Sequence, residues 1–176
     1  MRKIILFVVF ALSAIPAAYA DNSPTPTQQA SAMCKQQRTA IGATFFTQMY
    51  GGGKNAYGRC VSKLAGTVSS DKTNASKQCA AERADAAFAS SHGGKTFDQF
   101  YGTTNKSGKS SNAFGKCVSS KAQEQEQQQQ QSTINAAKSC KTERKSLGAA
   151  GFKSKYGGHS NAFGKCVSKT AKASNP

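Results

Sequence analysis

The sequence predicts a mainly α-helical protein: three short, disulfide-stapled helical repeats after a cleaved signal peptide. Three observations predict it. One motif recurs almost verbatim, as Asn55-Ala-Tyr-Gly-Arg-Cys60-Val-Ser, Asn112-Ala-Phe-Gly-Lys-Cys117-Val-Ser and Asn161-Ala-Phe-Gly-Lys-Cys166-Val-Ser. Each copy brings a second cysteine upstream, so the chain's six cysteines divide evenly among the three copies. Large apolar residues are scarce: beyond residue 20, Leu, Ile, Val and Phe total 16 of 156 residues. That is below the roughly 20% needed by a highly charged chain that folds around one large core. Small units held by covalent staples fit better.

The elements follow in order. Residues 1–20 read as a secretory signal peptide. Arg2 and Lys3 give a positive start, Ile4 to Ile15 an apolar run, Pro16 a break, and Ala18-Tyr19-Ala20 a small-residue cleavage site. The run is short of the roughly 20 residues that span a bilayer. Cleavage after Ala20 places the protein outside the cytoplasm, secreted or associated with the cell envelope. Removal of Arg2 and Lys3 would lower the formal charge from +16 to +14. Such an excess favours anionic partners, envelope polysaccharide or nucleic acid among them, although it also serves solubility alone.

Residues 21–27 form a flexible lead-in with Pro24 and Pro26. Repeat 1 spans 28–66, repeat 2 spans 74–122 and repeat 3 spans 134–172. Residues 67–73 join the first two, and the Gln/Glu-rich stretch 123–133, whose residues also suit a solvated helix, reads as a tolerant spacer before the third. Copies one and three match at every offset: Cys34, Arg38, Gly42, Phe46, Tyr50 and Cys60 against Cys140, Arg144, Gly148, Phe152, Tyr156 and Cys166. Copy two keeps Cys79, Arg83, Phe97, Tyr101 and Cys117 but carries insertions, the first with adjacent Gly93 and Gly94. Those glycines break a helix, so each copy reads as helix, Phe-Tyr-Gly turn, helix. Asn55, Asn112 and Asn161 stand where an N-cap begins the second helix.

An exported chain with an even cysteine count forms disulfides. Self-sufficient copies pair Cys34 with Cys60, Cys79 with Cys117 and Cys140 with Cys166; a link between copies, such as Cys60 with Cys79, is the competing arrangement. A straight helix over 34–50 would be about 24 Å long, too far for bridged Cα atoms at roughly 4.4–6.8 Å. The first helix must therefore stop near Gly42, and the return must lay Phe46 and Tyr50 over the disulfide.

Chemistry-bearing constellations are few. No two cysteines have the short spacing of a metal site, and no cofactor is implied. His92 and His159 sit among glycines as loop residues. Glu82, Glu143 and the other carboxylates read as surface solvation rather than a catalytic pair. The repeated cations are the candidate anion-binding set. Arg38, Arg83 and Arg144 stand four past each first cysteine; Arg59, Lys116 and Lys165 precede each second one. Tyr50, Tyr101 and Tyr156 could serve beside them as stacking platforms. Asn74-Ala-Ser76 and Asn105-Lys-Ser107 match the glycosylation pattern.

The Asn-Ala-Phe-Gly-Lys-Cys-Val-Ser element preceded by Phe-x-x-x-Tyr-Gly resembles a repeat of secreted bacterial proteins, over most of residues 34–169. The resemblance implies secretion and no particular activity. Copy two departs through its insertions, and copy one through Tyr57 and Arg59. The function expected is non-enzymatic: an extracellular or envelope module that binds anionic polymer. The alternative is a disulfide-stabilised structural spacer without a specific ligand.

Overall fold

A computed structural model describes residues 24–104, 110–157 and 161–174. The signal-peptide segment 1–20, Asn105 and His159 lie outside the described residues. Among those described, the protein is a mainly α-helical bundle with three disulfides.

Helix α1 (Pro26–Ile41) begins inside the proposed lead-in, because Thr25 and Gln28 form a capping box and Pro26 sits in the first turn, where its missing N–H costs nothing. It buries Ala30, Met33, Cys34, Gln37 and Ile41 at helical spacing. Gly42, at φ +83°, ends it. Helix α2 (Ala43–Met49) then turns back, as the distance argument requires, and buries Phe46. Helix α3 (Ala56–Ala84) follows. Copy two forms α4 (Phe88–Ser91), α5 (Phe97–Tyr101) and a two-stranded antiparallel ribbon, β1 (Thr103–Thr104) and β2 (Ser110–Ser111). Helix α6 (Ala113–Tyr156) runs through the third copy with a kink at Gly148, φ +68°, and α7 (Ala162–Ala173) closes the chain.

The two intervals read as spacers differ from that reading. Residues 67–73 lie within α3 and 123–133 within α6, both continuous helix. Glutamine and glutamate are good helix formers, and here they also pack. Helices α3 and α6 run antiparallel, joined by Lys121 with Glu82 at 2.7 Å, Gln125 with Gln78 at 3.5 Å and Gln129 with Asp71 at 3.1 Å. Glu126 and Gln130 are buried in this seam. The second helix of one copy is thus the first helix of the next.

The disulfides pair Cys34–Cys60, Cys79–Cys117 and Cys140–Cys166, with Cα atoms 6.1, 6.0 and 6.1 Å apart. Two cores surround them. Copies one and three share the larger, which includes Ile41, Phe46, Phe152, Phe163 and Val167. Copy two has its own around Phe88, Phe97 and its disulfide. The three units therefore do not each own a core.

The asparagines at the helix starts occupy N-cap positions, but none makes the side-chain cap bond expected of it. In two copies the side chain folds over the glycine three residues on. A β-carbon at Gly115 would lie 2.6 Å from Asn112 Oδ1, and one at Gly164 would stand closer still to Asn161 Oδ1. At Gly164 the Met49 backbone carbonyl also lies 2.6 Å from that position, so the approach there restricts the residue to glycine, whereas at Gly115 the neighbour is a side chain that can move.

Candidate functional site

Each disulfide is covered in the same way. Phe46 and Tyr50 pack with tilted rings whose centroids are 5.0 Å apart, Phe97 and Tyr101 likewise at 4.9 Å, and Phe152 and Tyr156 at 4.8 Å. The tyrosine hydroxyl then donates to the residue three past the first cysteine. Tyr50 donates to Gln37 at 2.6 Å, Tyr101 to Glu82 at 3.0 Å and Tyr156 to Glu143 at 2.8 Å. The same Glu82 oxygen lies 3.9 Å from Cys117 Sγ, and that of Glu143 3.8 Å from Cys166 Sγ.

This geometry corrects two expectations. The tyrosines are half-buried structural donors, not free stacking platforms. Glu82 and Glu143 are partly exposed but also accept from the tyrosines beside the disulfides, a role beyond surface solvation. Burial pushes the Glu82 carboxyl up, but hydrogen bonds from Lys121 and Tyr101 outweigh it and hold the group below the usual carboxylate range. Hydrogen bonds from Lys155 and Tyr156 likewise lower Glu143. Burial pushes the Tyr50 hydroxyl up to about 12, against the opposing bond to Gln37. The sequence signal for this contact was the acceptor side chain, Gln or Glu, in all three copies.

The six candidate cations go to different places. Arg38 is exposed on α1 and lines a shallow groove of about 770 Å³ with Ser31, Lys35, Thr39, Ala43 and Tyr57. Arg83 is exposed in the last turn of α3, where a cation suits the helix dipole. Arg144 is half-buried and donates to Gln48 of α2 at 2.5 Å. Arg59 and Lys165 fold back over the glycine after the tyrosine: a β-carbon at Gly51 would meet Arg59 Nη1 at 2.6 Å, and one at Gly157 Lys165 Nζ at 2.9 Å. Lys116 donates to the Thr103 hydroxyl, one residue past Gly102. The three motif arginines thus occupy three different settings rather than one ladder.

His92 is not a free loop residue. Its ring stacks on Phe88 with centroids 3.8 Å apart, and Nδ1 lies 2.8 Å from the Phe88 carbonyl. Among the described residues no group of three or more His, Cys, Asp or Glu side chains could hold a metal ion. No described helix is long and apolar enough to cross a membrane.

No protein-family description, curated protein or solved structure matches this chain.

Sequence reasoning missed one contact altogether. The α2 segment of copy one is seated on copy three. Phe45 lies 5.0 Å from Phe163, its ring beneath Lys141 Nζ at 4.7 Å and near the Arg144 guanidinium at 5.7 Å. Lys141 also donates to the Ile41 carbonyl at 3.2 Å. Cation–π contact and two hydrogen bonds make a cage for one aromatic side chain. Lys35 and Lys141 share a motif position, which was the available hint.

Proposed function

We propose that this protein is a secreted, non-enzymatic repeat module that binds anionic polymer at the cell envelope or beyond it. The observation that carries the reading is the sorting of charge between inside and outside. Asp71 and Glu126 are buried, and Glu82 and Glu143 are turned in toward tyrosines and disulfides. Most lysines and arginines, including Lys35, Arg38, Lys63, Arg83 and Lys169, are exposed. The surface presented to a partner is therefore dominated by lysine and arginine, beyond what the net charge of +14 left by removal of Arg2 and Lys3 conveys. Polymers of repeated negative charge gain by releasing counterions on such a surface, with little demand on sequence or shape.

Retention of the protein without its first 20 residues on heparin and on duplex DNA columns tests the reading. Retention is expected at about 50 mM salt, with elution as screening shortens the reach of the charges. The slope of log affinity against log salt counts the phosphates neutralised, at roughly 0.9 per contact on duplex DNA. Flow-through on both columns at low salt would leave the ligand-free structural spacer as the better account.

A further inference from the structure

We propose that the groove between Lys35, Arg38 and Tyr57 is a socket for a short helical segment of a partner protein, one that carries a phenylalanine and, three residues later, a glutamine or glutamate. The protein supplies its own template. Phe45 of α2 is held by Lys141, Arg144 and Phe163, and Gln48, three residues on, accepts from Arg144. The counterparts of those three caging residues in copy one are Lys35, Arg38 and Tyr57. These three line the open groove on α1 and α3, and every residue lining that groove belongs to copy one.

A second observation distinguishes the filled socket from the empty one. At Gly164 a β-carbon would stand 2.6 Å from the Met49 carbonyl, because the backbone of α2 presses on that helix start. At Gly58, the same motif position, nothing lies within 4 Å. The Tyr57 ring is held in place at the groove wall. Its hydroxyl donates to the Ser31 carbonyl at 2.9 Å, so the ring cannot swing away without losing that bond. Lys35 and Arg38 are exposed, and neither side chain is bonded to another described residue.

Among the described residues no side chain fills this socket as Phe45 fills that of copy three. Phe45 is already seated on copy three. Copy three has Gly151 where copy one has Phe45, so its own returning segment offers no aromatic plug. Copy two lacks the complete cage, since Ala80 replaces the lysine. The occupant proposed is an external segment, and its chemistry is set by the template. The aromatic ring enters between two cations and Tyr57, a carbonyl at the segment's start accepts from Lys35, and the carboxamide or carboxylate one turn on accepts from Arg38. A carboxylate gains further from the two unpaired charges.

The probe is a fluorescein-labelled, helix-stapled peptide with the sequence of residues 41–52, which is uncharged and so tests the socket rather than general attraction to polyanions. It is titrated against the intact oxidised protein. Saturable one-to-one binding is expected, weakened about tenfold or more by Lys35→Ala with Arg38→Ala together. Both side chains are exposed, so thermal melting should confirm an intact fold. The same peptide with alanine in place of its first phenylalanine should lose binding to a similar degree. Absence of saturable binding up to about 1 mM peptide overturns the proposal. Equal binding by the double variant also overturns it, because the peptide would then be displacing α2 from copy three. Heparin retention is read separately on the parent protein, whereas loss of binding by the uncharged alanine-substituted peptide reads the socket alone. The socket and the polymer-binding reading therefore fail separately.

Discussion

One motif position, occupied by glycine in all three copies, should respond to alanine in three different ways. Gly58, Gly115 and Gly164 each stand in the first turn of a helix, where glycine costs about 0.5–1 kcal/mol relative to alanine. At Gly58 a β-carbon meets nothing within 4 Å. Gly58→Ala should therefore stabilise by up to about 0.5–1 kcal/mol. At Gly115 the new carbon meets only the Asn112 side chain, at 2.6 Å. Asn112 is exposed and can rotate away, so the gain and the loss should cancel to within about 0.5 kcal/mol. At Gly164 it meets Asn161 Oδ1 and, at 2.6 Å, the Met49 backbone carbonyl. A carbonyl in a packed helix does not rotate, and overpacking costs typically about 1–3 kcal/mol. Gly164→Ala should be destabilising by about 1–2 kcal/mol after the propensity gain is offset. In a domain of this size each kcal/mol moves the melting temperature by roughly 2–4 °C. Thermal unfolding of the oxidised protein, followed by helical circular dichroism, should place Gly58→Ala above the parent and Gly164→Ala several degrees below it. Equal shifts at the two positions would refute the seating of α2 on copy three, and with it the template for the socket.

Two further outcomes follow. Removing the copy-two disulfide with Cys79→Ala and Cys117→Ala opens the longest of the three bridges, 38 residues apart, worth about 4 kcal/mol in the chain-entropy account. Because this copy has its own small core, hydrogen exchange should rise around Phe88, Phe97 and the start of α6 while the core shared by copies one and three stays protected. Uniform loss of protection would contradict the two-core arrangement. Burial, reinforced by the nearby Asp71 charge, raises Glu126 above the usual carboxylate range, with Lys72 opposing. Burial raises Asp71 too, against its bond from Gln129. A carboxyl whose folded pKa is raised loses stability as pH climbs from its unfolded pKa through its folded one. Glu126→Gln should therefore be more stable than the parent at neutral pH, and that advantage should shrink on acidification through the Glu126 pKa. Glu82 and Glu143 are lowered, so their contribution is present above the unfolded pKa and disappears only at more acid pH. Urea titrations of both proteins between about pH 3 and 8 would read the difference; a gain that persists unchanged at the acid end would contradict it.

Much of the local structure was legible in the chain. The matched offsets of Cys34 to Cys60 and Cys140 to Cys166 favoured a bridge within each copy over a link between copies, and the length of a straight helix pointed to the turn at Gly42. Those are questions of reach, which sequence spacing answers. The spacers were misread because composition does not show a partner. Gln129 resembles any solvated glutamine until α3 brings Asp71 to 3.1 Å. The candidate site was legible only in part. Arg38, Arg83 and Arg144 are identical in the motif yet differently employed, because their surroundings come from other copies.

The sequence by itself determined the helical class and the return of the Phe-Tyr segment, and it favoured a bridge inside each copy, since these are local consequences of chain length and residue type; the choice against a link between copies came from the structure. Only the tertiary structure decided that Phe45 fills the cage of copy three, while among the described residues the matching cage of copy one has no such plug. The physical reason is that like motifs joined in series pack against different neighbours, so identical residues meet different surroundings.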